Sequence, residues 1–265
     1  MQKTSSRDGT LIAFEKQGAG LPLILIGGAL SERAAAAPLA SLLEPSFTVF
    51  SYDRRGRGDS GDAEAYSIER EVEDLAALIE VAGGSAFVFG HSSGAALALE
   101  CAARALPIAK LALYEPPFIV DGAREPLIGS HTAQLASLIS SGRRGEAVKY
   151  FLTIVVQVPE TAVARMQGSR MWPGMEKMAH TLRYDQAIME GKMSGMGIAK
   201  GQWNSVDMPT LVIEGGASPA WIRNSAAMLA KALPKGRHLS LDGQTHGADP
   251  AVLAPVLEEF FSTKP

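Results

Sequence analysis

The sequence predicts a mostly parallel α/β sheet, with helices on both faces and a helical segment inserted late in its winding. Three observations lead there. Short, continuous apolar runs end abruptly in turn residues, stretches of helical length separate them, and one long segment breaks that rhythm. The runs are 21–26, 47–52, 86–89, 110–114, 210–213 and 238–241, closed by Gly27-Gly28, Asp53, Gly90 and Glu115-Pro116-Pro117 among others. Apolar runs this short and unbroken suit strands buried on both faces. Between them, 68–81, 93–105 and 222–233 read as helices, Ala34–Ala37 reads as part of another, and 251–261 as a terminal one. In such a sheet ligands bind beyond the carboxyl ends of the strands, so the residues just after each run are the first to inspect.

The segment 119–205 has no buried strand pair but offers helices at 130–141, 145–156 and 175–189. The expected division is therefore a core of 1–118 and 206–265 and a helical cap of 119–205. Seven of the ten methionines lie in that cap, between Met166 and Met196. Methionine at such density serves either as adaptable core filler or as the lining of an apolar pocket.

Composition excludes several classes. With 25 basic and 28 acidic residues among 265, the net charge is −3 and no basic block invites nucleic acid. A 46% hydrophobic content is too high for a disordered chain. The single cysteine, Cys101, cannot form an internal disulfide, and no Cys/His spacing suits zinc. The first residues lack the apolar stretch of a signal peptide, and no apolar run approaches the ~18 residues of a membrane span. The expectation is a cytoplasmic protein acting on a small molecule, with no cofactor, metal, nucleic acid or membrane partner. Oligomeric state is not legible.

Gly90-His91-Ser92-Ser93-Gly94 fits G-x-S-x-G directly after the run 86–89 and before the small-residue helix that follows. A serine on so sharp a strand-to-helix turn is strained, with its hydroxyl exposed, and larger residues at the glycines would collide with the neighbouring strand and helix. The N–H of Ser93, at the start of that helix, faces a developing oxyanion. A serine hydroxyl also needs a base. Of five histidines, only His246 lies in a loop after the last run and before the terminal helix.

With these features the chain resembles the α/β-hydrolase superfamily over essentially its whole length. The resemblance is carried by Ile26-Gly27-Gly28-Ala29, Tyr52-Asp53-Arg54-Arg55-Gly56-Arg57-Gly58-Asp59-Ser60, the Ser92 turn and Asp242-Gly243-Gln244-Thr245-His246. It implies Ser92 as nucleophile, His246 as base, and the N–H groups of Ala29 and Ser93 as oxyanion donors. Gly28, His91 (its ring turned away from the pocket), Phe118 and Trp172 are expected around the substrate. The superfamily usually places an aspartate a few residues after the strand at 210–213, where this chain has Ser218. In some members, haloalkane dehalogenases among them, the acid lies instead at the end of the strand after the Ser-turn helix, which is Glu115 here. Glu115 is the expected acid; Glu214 or Asp242, or a Ser–His dyad without a carboxylate, are the alternatives. The resemblance implies a cofactor-free serine hydrolase of a small to medium apolar ester, lactone or related carbonyl compound. The competing readings are a binding protein with a degraded triad and a Ser/His lyase.

Overall fold

The structure, a computed structural model, describes residues 1–63, 65–127 and 130–263. Its sheet has eight strands in the order β1-β2-β4-β3-β5-β6-β7-β8. They are β1 Gln2–Ser5, β2 Leu11–Gln17, β3 Leu21–Ile26, β4 Phe47–Tyr52, β5 Ala86–His91, β6 Ile108–Tyr114, β7 Thr210–Gly215 and β8 Gly236–Leu241. β1 pairs antiparallel with β2 and β2 antiparallel with β4 at one edge, while from β4 through β3, β5, β6 and β7 to β8 every pairing is parallel. The six runs expected from the sequence are strands, but β1 and β2 were not among them. β1 is polar and mostly exposed, so it lacks the apolar continuity of a buried strand.

Strand alternation sorts side chains into two layers. Leu23 and Leu25 of β3 point to one face, with α1 (Ala37–Leu43) and α10 (Pro250–Ser262), beside Phe47, Phe87 and Phe261. Ile24 and Ile26 point to the other, with α2 (Ile68–Val81), α3 (Ser93–Ala103) and α9 (Ala220–Ala232). α3 is mostly Ala and Leu, with Ser93, Gly94, Glu100 and Cys101, and is almost entirely buried, which lets its first turn lie close beneath the strand ends. Asp249 starts α10 by accepting from the Ala251 N–H at 2.9 Å, with Pro250 in the first turn, where its missing N–H costs nothing.

Between β6 and β7 the described residues form five α-helices: α4 Ser130–Ser140, α5 Arg144–Tyr150, α6 Glu160–Gln167, α7 Trp172–Met178 and α8 Leu182–Met189. The expected helix 145–156 is α5 followed by a π-helical turn, Phe151–Val155, and the expected helix 175–189 is α7 and α8 joined by a 3₁₀ turn, Ala179–Thr181. α6, absent from the sequence reading, buries only Val163 and so shows little apolar periodicity. These helices share a core of their own around Leu135, Leu138, Val148, Trp172 and Leu182. None of the described helices is long and apolar enough to cross a membrane.

Candidate active site

The parallel register places four strand ends side by side. His91 pairs with Tyr114, Tyr114 with Ile213, and Gly215 with Leu241, so the loops leaving β5, β6, β7 and β8 open onto one rim. Ser92 leaves β5 with φ 57° and ψ −124°, a conformation that costs an L-residue about 1–3 kcal/mol and persists only where its surroundings enforce it. The glycines enforce it. A Cβ on Gly90 would lie 2.5 Å from the Gly94 carbonyl oxygen, and one on Gly94 would lie 2.5 Å from those of Ile26 and Gly27. Gly28 is tight to a lesser degree, since a Cβ there would approach the Ser92 Cβ to 3.0 Å.

His246 reaches this point from the loop after β8. The Ser92 hydroxyl donates to His246 Nε2 at 3.1 Å, and His246 Nδ1–H donates to Glu115 Oε2 at 2.6 Å. This tautomer follows from the carboxylate, which can only accept. Glu115 leaves β6 with φ 47° and is fully buried. Its other oxygen, Oε1, accepts from the Gly215 N–H at 2.8 Å and from the Ser218 hydroxyl at 2.6 Å. Burial pushes this carboxyl up, but the His246, Ser218 and Gly215 donors outweigh it and hold it below the usual glutamate range. Ser218, at the position where the resemblance expects an acid, is thus a donor to the carboxylate from the neighbouring strand. The two alternative carboxylates lie elsewhere: Glu214 faces His238 on β8 at 3.7 Å, and Asp242 is exposed.

The N–H groups of Ala29 and Ser93 flank Ser92 and have no hydrogen-bond partner among the described residues. Both peptides are held from behind by a charged cluster that the sequence reading did not find. Asp185 of α8, almost fully buried, accepts from Arg54 Nη1 at 2.8 Å, Arg57 Nη2 at 2.7 Å and the Ser93 hydroxyl at 2.7 Å. Arg57 Nη1 in turn donates to the Gly28 carbonyl at 3.1 Å. That carbonyl and the Ala29 N–H belong to one planar peptide unit, so fixing one aims the other. Burial raises the Asp185 carboxyl, but Arg57 and Arg54 override it and leave it below the usual aspartate range. Arg54 is closed on its far side by Glu71, at 2.7 Å to each oxygen. The signal in the sequence was the run Asp53-Arg54-Arg55-Gly56-Arg57, whose three arginines are buried where charge is normally exposed.

Ser92 and His246 lie between two cavities. The larger, about 760 Å³, is roofed by the helices between β6 and β7 and lined by Ala29, Phe151, Val155, Gln186, Met189, Met193 and Trp221. The smaller, about 400 Å³, is lined by Gly28, His91, Leu152, Met175 and Leu253. Four of the nine expected site residues need comment. Gly28 and His91 face the smaller cavity, with the His91 Nε2–H donating to the His246 carbonyl at 2.9 Å. Burial, then the neighbouring His246, pushes the His91 imidazole down to about 4. Phe118 does not contact either cavity: the Pro116-Pro117 turn, tied down by Ser225, sends it into the core, and Pro117 lines the wall instead. Trp172, expected at the substrate, lines neither cavity: it packs among the helices of the insertion and its indole N–H donates to Glu176 at 2.7 Å. The aromatic wall comes from Trp221, at the start of α9 just beyond β7, a position that the rule of inspecting strand ends would have reached. The methionines divide: Met189 and Met193 line the large cavity, Met166, Met175 and Met178 pack in the insertion's own core, and Met171 and Met196 are exposed. Among the described residues, no cluster of three or more His, Cys, Asp or Glu could hold a metal ion.

Comparison with known proteins gives the same frame. The model of the alpha/beta hydrolase family matches residues 23–256. The chain is similar to an alpha/beta hydrolase of known structure from Sphaerobacter thermophilus DSM 20745, with 54% identity and a TM-score of 0.93 over 98% of this chain and 100% of that one. It shares its fold with the esterase RhEst1 from Rhodococcus sp. ECU1013, at 21% identity and a TM-score of 0.72 over 99% and 98% of the two chains. It is also 26% identical over 160 residues to the uncharacterized hydrolase YraK of Bacillus subtilis (strain 168), a match covering 55% of this chain and 59% of that relative's length.

Proposed function

Because this chain belongs to the alpha/beta hydrolase family, we propose that it is a serine hydrolase that cleaves a small to medium, largely apolar carboxylic ester or lactone through an acyl-enzyme. The observation that carries this reading is the unbroken relay from Ser92 through His246 to Glu115, at 3.1 and 2.6 Å, on the floor of an apolar cavity. In acylation the Ser92 oxygen bonds to the substrate carbonyl carbon while its proton passes to His246 Nε2. The oxyanion that forms faces the N–H groups of Ala29 and Ser93. As the tetrahedral species collapses, the carbon–oxygen bond to the leaving group breaks, and His246 returns the proton to that oxygen. Water then gives its proton to His246, attacks the acyl carbon, and Ser92 leaves reprotonated. Glu115 keeps Nδ1 protonated throughout and stabilises the imidazolium between steps.

Two further features support this reading over that of a binding protein with a degraded triad. Ser218 donates to the relocated acid, so the serine at that position orders the carboxylate. The strained Ser92 turn also has room only because residues 28, 90 and 94 are glycines, where an added Cβ would come within 2.5–3.0 Å of a neighbouring atom, as a turn that presents a nucleophile requires. The test is labelling with a fluorophosphonate probe together with turnover of short-chain p-nitrophenyl esters. The wild type should label at Ser92 and hydrolyse, and Ser92→Ala should do neither. An unlabelled, folded wild type would refute the proposal.

A further inference from the structure

Arg54, Arg55 and Arg57 are all buried, and each has a carboxylate at 2.7 to 2.8 Å. Arg124 is the exception. It sits just after the end of the core, 5% exposed, and no carboxylate lies within ion-pair distance among the described residues. Its Nη2 donates to the Val155 carbonyl at 2.6 Å and to that of Ile154 at 3.2 Å, while Nε and Nη1 have no partner. The guanidinium plane lies 4.4 Å from the centroid of the Trp221 ring. A guanidinium cannot discharge itself by losing a proton near neutral pH, so a buried one without an acid carries its desolvation cost with no Coulombic return. Burial alone, with no acid to oppose it, lowers this group to about 10. Of the three residues that hold Arg124, Val155 and Trp221 line the large cavity; Arg124 itself does not, so its charge sits behind that wall.

We propose that Arg124 is the anion-recognition residue of the large cavity, and that the substrate carries a carboxylate which the cavity seats at its Trp221–Val155 end. The inference rests on the large cavity being the substrate site, and not on the Ser–His–Glu chemistry. The carbonyls of Ile154 and Val155 orient the guanidinium but, being neutral, cannot balance it, and the Trp221 face adds only its quadrupole. Two of the three nitrogens keep donors to spare. A carboxylate-bearing ester supplies the missing charge while its apolar body contacts Met189, Met193 and Trp221. A neutral ester of the same length leaves the cation uncompensated, so the cavity discriminates by charge as well as by shape.

The test uses the Ser92→Ala protein, whose binding needs no turnover, titrated with the monomethyl and the dimethyl esters of the diacids from succinic to suberic. At the chain length that fits, the monomethyl ester should bind at least about tenfold more tightly than its dimethyl counterpart, the preference given by one uncompensated charge close behind the cavity wall. Adding Arg124→Gln should abolish that preference while leaving dimethyl ester binding within about threefold, and Arg124→Lys should restore part of it. Equal binding of acid and neutral ester along the whole series would overturn the proposal before any Arg124 variant is made. So would a preference that survives Arg124→Gln. Hydrolysis enters neither readout, so failure of the esterase reading would be seen separately in the Ser92 labelling.

Discussion

Replacing Glu115 by glutamine tests the acid with almost no change of volume, and the structure fixes what the amide must do. Oε1 accepts from the Gly215 N–H and the Ser218 hydroxyl, whereas Oε2 accepts from His246 Nδ1–H. A glutamine has one acceptor oxygen and one donor nitrogen to place at those sites. If the nitrogen faces Gly215, two N–H groups oppose each other in a buried site, an arrangement costing about 1–3 kcal/mol for the unsatisfied donors. Ser218 can rotate its hydroxyl to accept, but the Gly215 N–H cannot turn. The favoured orientation therefore keeps oxygen toward Gly215 and presents the NH₂ to His246 Nδ1. Nδ1 must then accept, the ring proton moves to Nε2, and Nε2–H faces the Ser92 oxygen from which it should take a proton. The expected result is a kcat lowered about 10³–10⁴-fold, as for a triad histidine held in the wrong tautomer, equivalent to about 4–5.5 kcal/mol in the barrier. KM should stay within a few-fold and thermal stability close to wild type. Stopped-flow hydrolysis of an activated aryl ester, with circular dichroism as the folding control, measures all three. A kcat within tenfold of wild type would show that His246 works without Glu115 and would refute the tautomer argument.

The remaining expectations follow from neighbouring parts of the site. Asp185→Asn keeps the shape but removes the charge that orients Arg57 and, through it, the Gly28–Ala29 peptide; kcat should fall roughly 10–100-fold with KM little changed, approaching the loss of one oxyanion donor. Ser93→Ala is the milder companion, and a parallel weakening of a boronic acid inhibitor in both variants would mark the effect as one on the oxyanion site. His91 titrates near 4 in the folded protein against ~6.5 in the unfolded chain, so the unfolded state binds more protons between those values. The resulting stability is complete above pH ~6.5 and is lost as pH falls toward 4. Scanning fluorimetry should find Tm dropping across that window, and less steeply in His91→Gln. Glu115, held below its usual range, adds a second loss of stability at lower pH, as protons reach a carboxylate that the fold keeps ionised. Gly94→Ala drives a Cβ to 2.5 Å from two carbonyl oxygens of the adjoining strand end. It should cost at least about 1–3 kcal/mol, read as a lower Tm with activity lost in step.

The parallel strands, the Ser92 turn and the place of His246 were legible in the sequence because each depends on local pattern. Apolar runs of a few residues specify buried strands, G-x-S-x-G specifies one backbone turn, and the loop before a terminal helix is fixed by chain order. β1 is not legible because an exposed antiparallel edge needs no continuous apolar run, and β2 because its buried stretch, Ile12–Phe14, is only three residues long before Glu15-Lys16-Gln17. Phe118 and Trp172 went astray for a different reason. An aromatic residue near a pocket in sequence can turn toward it or toward a core, and only packing decides; two prolines and Ser225 turned Phe118 inward, while the small helices of the insertion enclosed Trp172.

The sequence by itself determined which residues could do chemistry, Ser92 and His246 above all, and it narrowed the acid to a few carboxylates. Only the tertiary structure brought Glu115 alone among these within 2.6 Å of His246, because that distance depends on the register between β5, β6 and β7 and on the bend of a loop more than a hundred residues away. The same holds for charge. A count of 25 basic and 28 acidic residues says nothing about pairing. Burial is a property of the folded surface, and it alone separates the compensated Arg54, Arg55 and Arg57 from Arg124, the buried cation with no carboxylate beside it among the described residues.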